Sequence, residues 1–232
     1  MARIYALVAA LMGTFAQAPA PTSSSVPVRI APITALADAR SGPAAFADAR
    51  VVVLAGDERN RRRSLADWLT EAGAATVLAV PTAWATPDAA ATLGASLLPP
   101  RAAASPRLFG YLPGEAAASH DAILRFVFEA DDSDDAARAR AVERALHAGS
   151  TRALADVARV LDRHRGAYAA RAGRHAFAEA RQHLRNLEQL ASLRHARSRG
   201  DATALHERCA ADNLKWLADH EAGDAPLLVW PA

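Results

Sequence analysis

The sequence predicts an α/β fold, a parallel sheet core with a large helical insertion before the last strand. Three observations lead there. Two short runs rich in β-branched residues, Ala49–Ala55 and Thr76–Val80, flank a segment with helical apolar spacing, and strand, helix, strand within ~30 residues is the signature of parallel strands joined by a crossover. From Asp131 to about residue 222 the apolar residues recur at helical spacing. A last apolar run, Pro226–Trp230, follows those helices.

Composition narrows the class. The chain has 232 residues, 51% of them apolar, and a formal net charge of +2. Disorder needs low apolar content and strong charge imbalance, so it is excluded for most of the chain. Basic residues are almost all arginine, Lys215 being the single lysine, and 61 residues are alanine. That bias resembles a GC-rich coding sequence more than a nucleic-acid-binding surface, and no nucleic-acid partner is expected. One cysteine, Cys209, excludes an internal disulfide and a cysteine metal cluster, and a buried inert thiol is the expectation.

The elements follow in order. Met1-Ala2-Arg3, an apolar run from Ile4 to Phe15, and Ala16-Gln17-Ala18 read as a signal peptide over residues 1–18, which implies a periplasmic or secreted protein. Residues 19–47 read as a Pro/Ser/Ala-rich leader with one short helix at Ile33–Ala39, and residues 48–232 as the folded α/β domain, mainly helical over 131–222. Elsewhere no apolar run is long enough to span a membrane. The first strand ends at Gly56-Asp57-Glu58; Ser64 is placed to cap a helix through Glu71, with Leu65, Trp68 and Leu69 as its stripe. The second strand is expected to stop at Pro81. A helix opens at Pro87 and reaches Leu98, and a third strand is expected at Ala122–Phe128. Helices are then expected over Asp134–His147, Thr151–Ala170, Ala176–Ser198 and from Asp201 to about Glu221, with glycines between them.

Three stretches resemble the erythromycin esterase family, whose members include hydrolases that open macrolide lactones. ADARVVVLAGDERNRRRSLADWL is similar to the family's opening strand, turn and helix, and ATVLAVPTAW to its second strand with a Trp nearby. RGAYAARAGRHAFAEARQHLRNLEQL and HERCAADNLKWLADHEAGDAPLLVW resemble its helical section, its R-D-x-x-M-A-x-N-x-x-W-L helix and its last strand. There Arg208, Ala211, Asn213, Trp216, Leu217 and Trp230 match.

The resemblance implies a hydrolytic site in which Glu and His follow the first strand, Glu ends the second, and a terminal W-A-H motif supplies a second His. A histidine beside carboxylates serves as general base on water attacking an ester. In this chain those positions fall on Asp57, Asn60, Pro81 and Ala232. An amide, a proline and an alanine cannot take a proton from water at neutral pH, so the expectation is an exported, catalytically degenerate relative that keeps a binding cleft. The alternative is an active macrolide lactone hydrolase. Cleft candidates are Asp57, Glu58, Arg59, Arg61, Trp84, His183 and Trp230, with a small-molecule or anionic ligand as partner. Oligomeric state is not legible.

Other constellations are weaker. None of the eight histidines sits in an H-x-E or H-E-x-x-H context or four residues from another, so no metal and no cofactor is called for. Ser119-His120-Asp121 has the residue types of a triad, but consecutive residues cannot form one, and no G-x-S-x-G elbow occurs. The arginine run at residues 59–63 reads either as an anion site or as a solvated first helical turn. Asp131–Asp135 reads as an acidic helix start.

Overall fold

The structure is a computed structural model that describes residues 51–54, 57–72, 76–84, 87–98, 106–131, 136–197, 202–224 and 226–231. The signal peptide, the leader and Ala232 lie outside the described residues. The chain divides into two compact units, one up to Leu112 and from Glu207 onward, the other Pro113–His206.

In the first unit, β1 (Val51–Val53), α1 (Glu58–Ala72), β2 (Val77–Ala83), α2 (Pro87–Leu97) and β3 (Arg107–Leu112) follow in sequence. The chain returns to this unit in α8 (Ala202–His220), from Glu207 onward, and ends in β4 (Leu227–Val229). The four strands form one parallel sheet in the order β1-β4-β2-β3. Val51, Val53, Val77, Ala79, Leu227 and Val229 share one face and pack with Ala211, Leu214 and Leu217 of α8. Val52, Leu54, Leu78, Val80, Leu228 and Trp230 share the other, against Leu65, Trp68 and Leu69 of α1 and Leu97 of α2. Strands buried on both faces need continuous apolar runs, which is why β1 and β4 are plain in the sequence.

Three expectations are corrected here. The first helix begins at Glu58, not near Ser64, because Asp57 caps it: its Oδ1 accepts the Asn60 backbone N–H at 2.8 Å. β2 continues through Pro81 to Ala83, and its register with β3 shifts between Val80 and Ala83; an irregularity is where a strand tolerates a residue without an N–H. The third strand is Arg107–Leu112, and Ala122–Phe128 lies inside a helix. In RLFGYL the glycine hides the strand, yet it is required: a Cβ on Gly110 would run into the Ala83 carbonyl oxygen.

The second unit is helical: α3 (Ala116–Ala130), α4 (Ala136–Ala148), α5 (Thr151–Arg163), α6 (Arg165–Ala172) and α7 (Arg174–Arg197). Ser119, Ile123, Phe126, Val127 and Ala130 are the buried face of α3, whereas Phe128 is 60% exposed. That is helical periodicity, and it outweighs the β propensity of the run. They meet Leu146, Leu154, Val157, Leu161, Tyr168, Phe177, Leu184 and Leu187 in one core, with the Phe126 ring edge-on to Tyr168 at 5.6 Å. The expected single helix over Thr151–Ala170 is two, broken at His164. Gly166, a poor helix former, lies just past the break, and the second piece buries Tyr168. Ser150 caps α5 by accepting the Ala153 N–H at 3.2 Å. No helix among the described residues is long and apolar enough to cross a membrane.

Candidate functional site

Parallel strands bring their carboxyl ends to one edge, where open α/β sheets bind ligands. The ladder runs past the strands: the Leu54 N–H reaches the Val229 carbonyl at 2.9 Å, and the Trp230 N–H reaches Ala79 O at 2.8 Å. Asp57 and Pro231 therefore follow strand ends at this edge, and Pro81 lies two residues short of the end of β2. β4 stands between β1 and β2 in the sheet, so the ends of those two strands are two spacings or about 10 Å apart.

The candidate residues take distinct places there. Asp57 and Asn60 are exposed, and the carboxylate is engaged on the Asn60 amide. Glu58 is exposed and accepts from the Arg62 guanidinium at 2.6 Å, while Arg62 Nη1 also donates to Ser96 O. Arg59 is exposed and Pro81 half-buried. Arg61 is half-buried; its Nη1 donates to Pro231 O at 3.3 Å and its guanidinium lies 5.8 Å from the Trp230 ring centre. Trp230 is buried, and its carbonyl accepts from the Tyr111 hydroxyl at 3.3 Å. Trp84 is buried too, edge-on to Trp216 with ring centres 5.3 Å apart. Ala232 lies outside the described residues.

Two members of this neighbourhood escaped the sequence reading as supports. Asn213, fully buried on α8, donates from Nδ2 to Tyr111 O at 3.1 Å, and Tyr111 in turn holds the chain after β4. Asn213 was visible as a matched position, but Tyr111 sat in the unrecognised strand. Chemically this edge offers guanidinium donors, a helix start and an engaged carboxylate. The one histidine among the described residues of this unit is His220, whose ring stacks on Trp216 at 4.7 Å and whose Nδ1–H is donated to Trp216 O at 3.1 Å.

His183 belongs to the helical unit. Its Nδ1 lies 3.3 Å from the Ser119 hydroxyl oxygen. Asn186 Nδ2 donates to the same oxygen at 2.9 Å, and the amide also holds Gly114 at both backbone groups, at 2.9 and 3.2 Å. A serine hydroxyl has one proton and two lone pairs, so Ser119 takes the Asn186 N–H and still pairs with His183 Nδ1. Burial pushes the imidazole down to a pKa of about 4, so the ring is neutral at pH 7 and can accept. Ser119 is fully buried, and the network ties the turn before α3, where Glu115 has φ 50°, to α7. His183 and Asn186 share a helix face, but Ser119 is 64 residues from His183, a pairing no local pattern announces.

Comparison with known proteins identifies the scaffold. The sequence model of the erythromycin esterase family matches residues 102–231, more than half of the chain. The chain belongs to the erythromycin esterase family. Searches of curated proteins and of solved structures returned no match. The family match runs from just before β3 through β4 and takes in Asn213, Trp216 and Trp230. β1, α1 and β2 precede it, so the correspondence of Asp57, Asn60 and Pro81 with the family's site rests on the local resemblance of the first two strands.

Proposed function

We propose that this chain is an exported erythromycin-esterase-like protein that no longer hydrolyses esters and holds a small or anionic molecule at the carboxyl edge of its sheet. The observation that supports this most is the state of Asp57. At the turn where the family resemblance places an acid and a base, the carboxylate is engaged in capping α1, and the next position of interest is the amide of Asn60. A water attacking an ester there has no imidazole to give its proton to, and Pro81 adds no acid. The arginines of α1 and the helix start beside them favour a negative group instead.

Incubation of the purified protein with a macrolide lactone tests the reading, with ring opening followed by mass spectrometry. The expected rate does not exceed that of buffer, and Asn60→His alone recovers nothing. Ring opening that scales with protein and disappears in Asp57→Ala would overturn the proposal in favour of an active lactone hydrolase. For the ligand, small carboxylates and phosphates should raise the unfolding temperature of the wild type more than that of Arg61→Gln. Export is tested by N-terminal sequencing of periplasmic protein, with Pro19 expected first; an intact Met1 confined to the cytosol contradicts it.

A further inference from the structure

The helical unit carries two histidines that the site above does not use. His120 stands on the first turns of α3, and His147 on the last turn of α4. They are 27 positions apart in sequence, yet their ring centres lie 6.1 Å apart with planes tilted by 40°. Two imidazoles on one tetrahedral ion, each with an N–metal bond of ~2.0–2.1 Å, have ring centres roughly 5 Å apart. The observed spacing is about 1 Å wider, a gap that a small rotation of the exposed His147 side chain closes.

The tautomer of His147 is determined. Its Nδ1 lies 2.9 Å from the Glu143 carbonyl oxygen, one turn back on the same helix; a carbonyl only accepts, so Nδ1 carries the proton. The lone pair of the neutral ring is therefore on Nε2. Metal-ligating histidines commonly have this arrangement, the other ring nitrogen being donated to a backbone carbonyl. His147 is exposed and His120 half-buried, so an ion has a path in. Each neutral ring presents one lone pair, and the exposed Asp121 carboxylate, next in sequence to His120, offsets part of a bound dication's charge.

We infer that His120 and His147 form a two-histidine site for a divalent transition-metal ion of the zinc–copper class, completed by water. Imidazole nitrogen is the donor such ions favour over magnesium or calcium. Two ligands from two helices would also pin the end of α4 to the start of α3.

The test uses the full chain without a histidine tag, titrated with Cu2+ and read by electron paramagnetic resonance, with Zn2+ as competitor. The expected result is one preferred ion per chain with coupling to two imidazole nitrogens, displaced only by a large excess of Zn2+ because copper binds such sites more tightly. His147→Ala, at an exposed position, should reduce the coupling to one nitrogen and weaken binding by about tenfold or more. His120→Ala should do the same where circular dichroism shows it folded. His175→Ala, a histidine paired with Glu179 on the surface of α7, should change neither. Spectra and affinity unchanged in His147→Ala, or a site lost in His175→Ala instead, would overturn the inference.

Discussion

A histidine whose charged form is disfavoured by its surroundings makes a folded state acid-sensitive, and the half-buried His183 is placed to do so. Its folded pKa of about 4 lies below the ordinary 6.5 because burial disfavours the charged ring. The unfolded chain therefore binds the proton first. His183's contribution to stability is fully present above pH 6.5 and is lost as pH falls from there through 4, amounting to ~3 kcal/mol at most. Denaturant titrations at pH 7, 6, 5 and 4 should show stability declining over that window. The slope should flatten in His183→Gln, and an equal slope in the variant would remove His183 as its source. Removing Asn186 at pH 7 is expected to cost more than Ser119→Ala, since Asn186→Ala takes the side-chain partner from both half-buried Gly114 backbone groups and one of the two partners of Ser119, at about 1 kcal/mol for each hydrogen bond lost. Asp57 illustrates the opposite case, an exposed residue whose role was legible by type but not in detail. A carboxylate after a strand reads as a ligand group, whereas the structure has it holding the Asn60 N–H. Asp57→Ala should cost ~0.5–2 kcal/mol as a lost cap.

At the scale of elements, legibility followed periodicity. β1 and β4 are buried on both faces and are continuous apolar runs; the helices from α4 to α8 announce themselves by apolar stripes, although the break at His164 between α5 and α6 has no glycine to mark it. Two failures have one physical cause, a residue whose local preference is overruled by its surroundings. Ile-Leu-Arg-Phe-Val-Phe is β-prone in isolation, but only positions at helical spacing find a core. Gly110 and Pro81 look like strand breakers, yet they sit where β2 and β3 slip register and the backbones come close. These assignments predict contrasting substitutions. Phe128→Glu, on the solvent face of α3, should leave stability within ~0.5 kcal/mol of wild type. Val127→Glu, one residue earlier and fully buried, should destabilise by several kcal/mol, because an unpaired charge is left in the core. A strand at this place would bury residues of alternate parity and give the reverse or an equal result in thermal melts. Gly110→Ala should cost ~1–3 kcal/mol, since the added carbon meets backbone rather than a side chain that can move.

The whole molecule has two cores, and its probes happen to be sorted between them. All four tryptophans, Trp68, Trp84, Trp216 and Trp230, belong to the sheet unit, whereas α3 to α7 make up the helical one. Sequence alone did not reveal this partition, because α8 reads as a continuation of the preceding helices while its apolar face, from Glu207 onward, packs on the sheet. Its role becomes visible only once Leu214 and Leu217 are seen against β1 and β4. The family match covers the helical unit and, in the sheet unit, β3, α8 from Glu207 onward and β4. His183, Ser119 and Asn186 lie in the helical unit, and the described part of the sheet unit contributes His220, which is exposed. Lowering the pH from 7 to 4.5 should therefore shift the denaturant midpoint seen by far-ultraviolet circular dichroism, which weighs the helices, further than the midpoint seen by tryptophan emission. In His183→Gln the excess shift should shrink, with His120 carrying the remainder, while the emission midpoint keeps its wild-type pH dependence. Coincident midpoints for both probes at every pH would mean that the two cores unfold as one, and the acid sensitivity of His183 would then be carried by the entire chain.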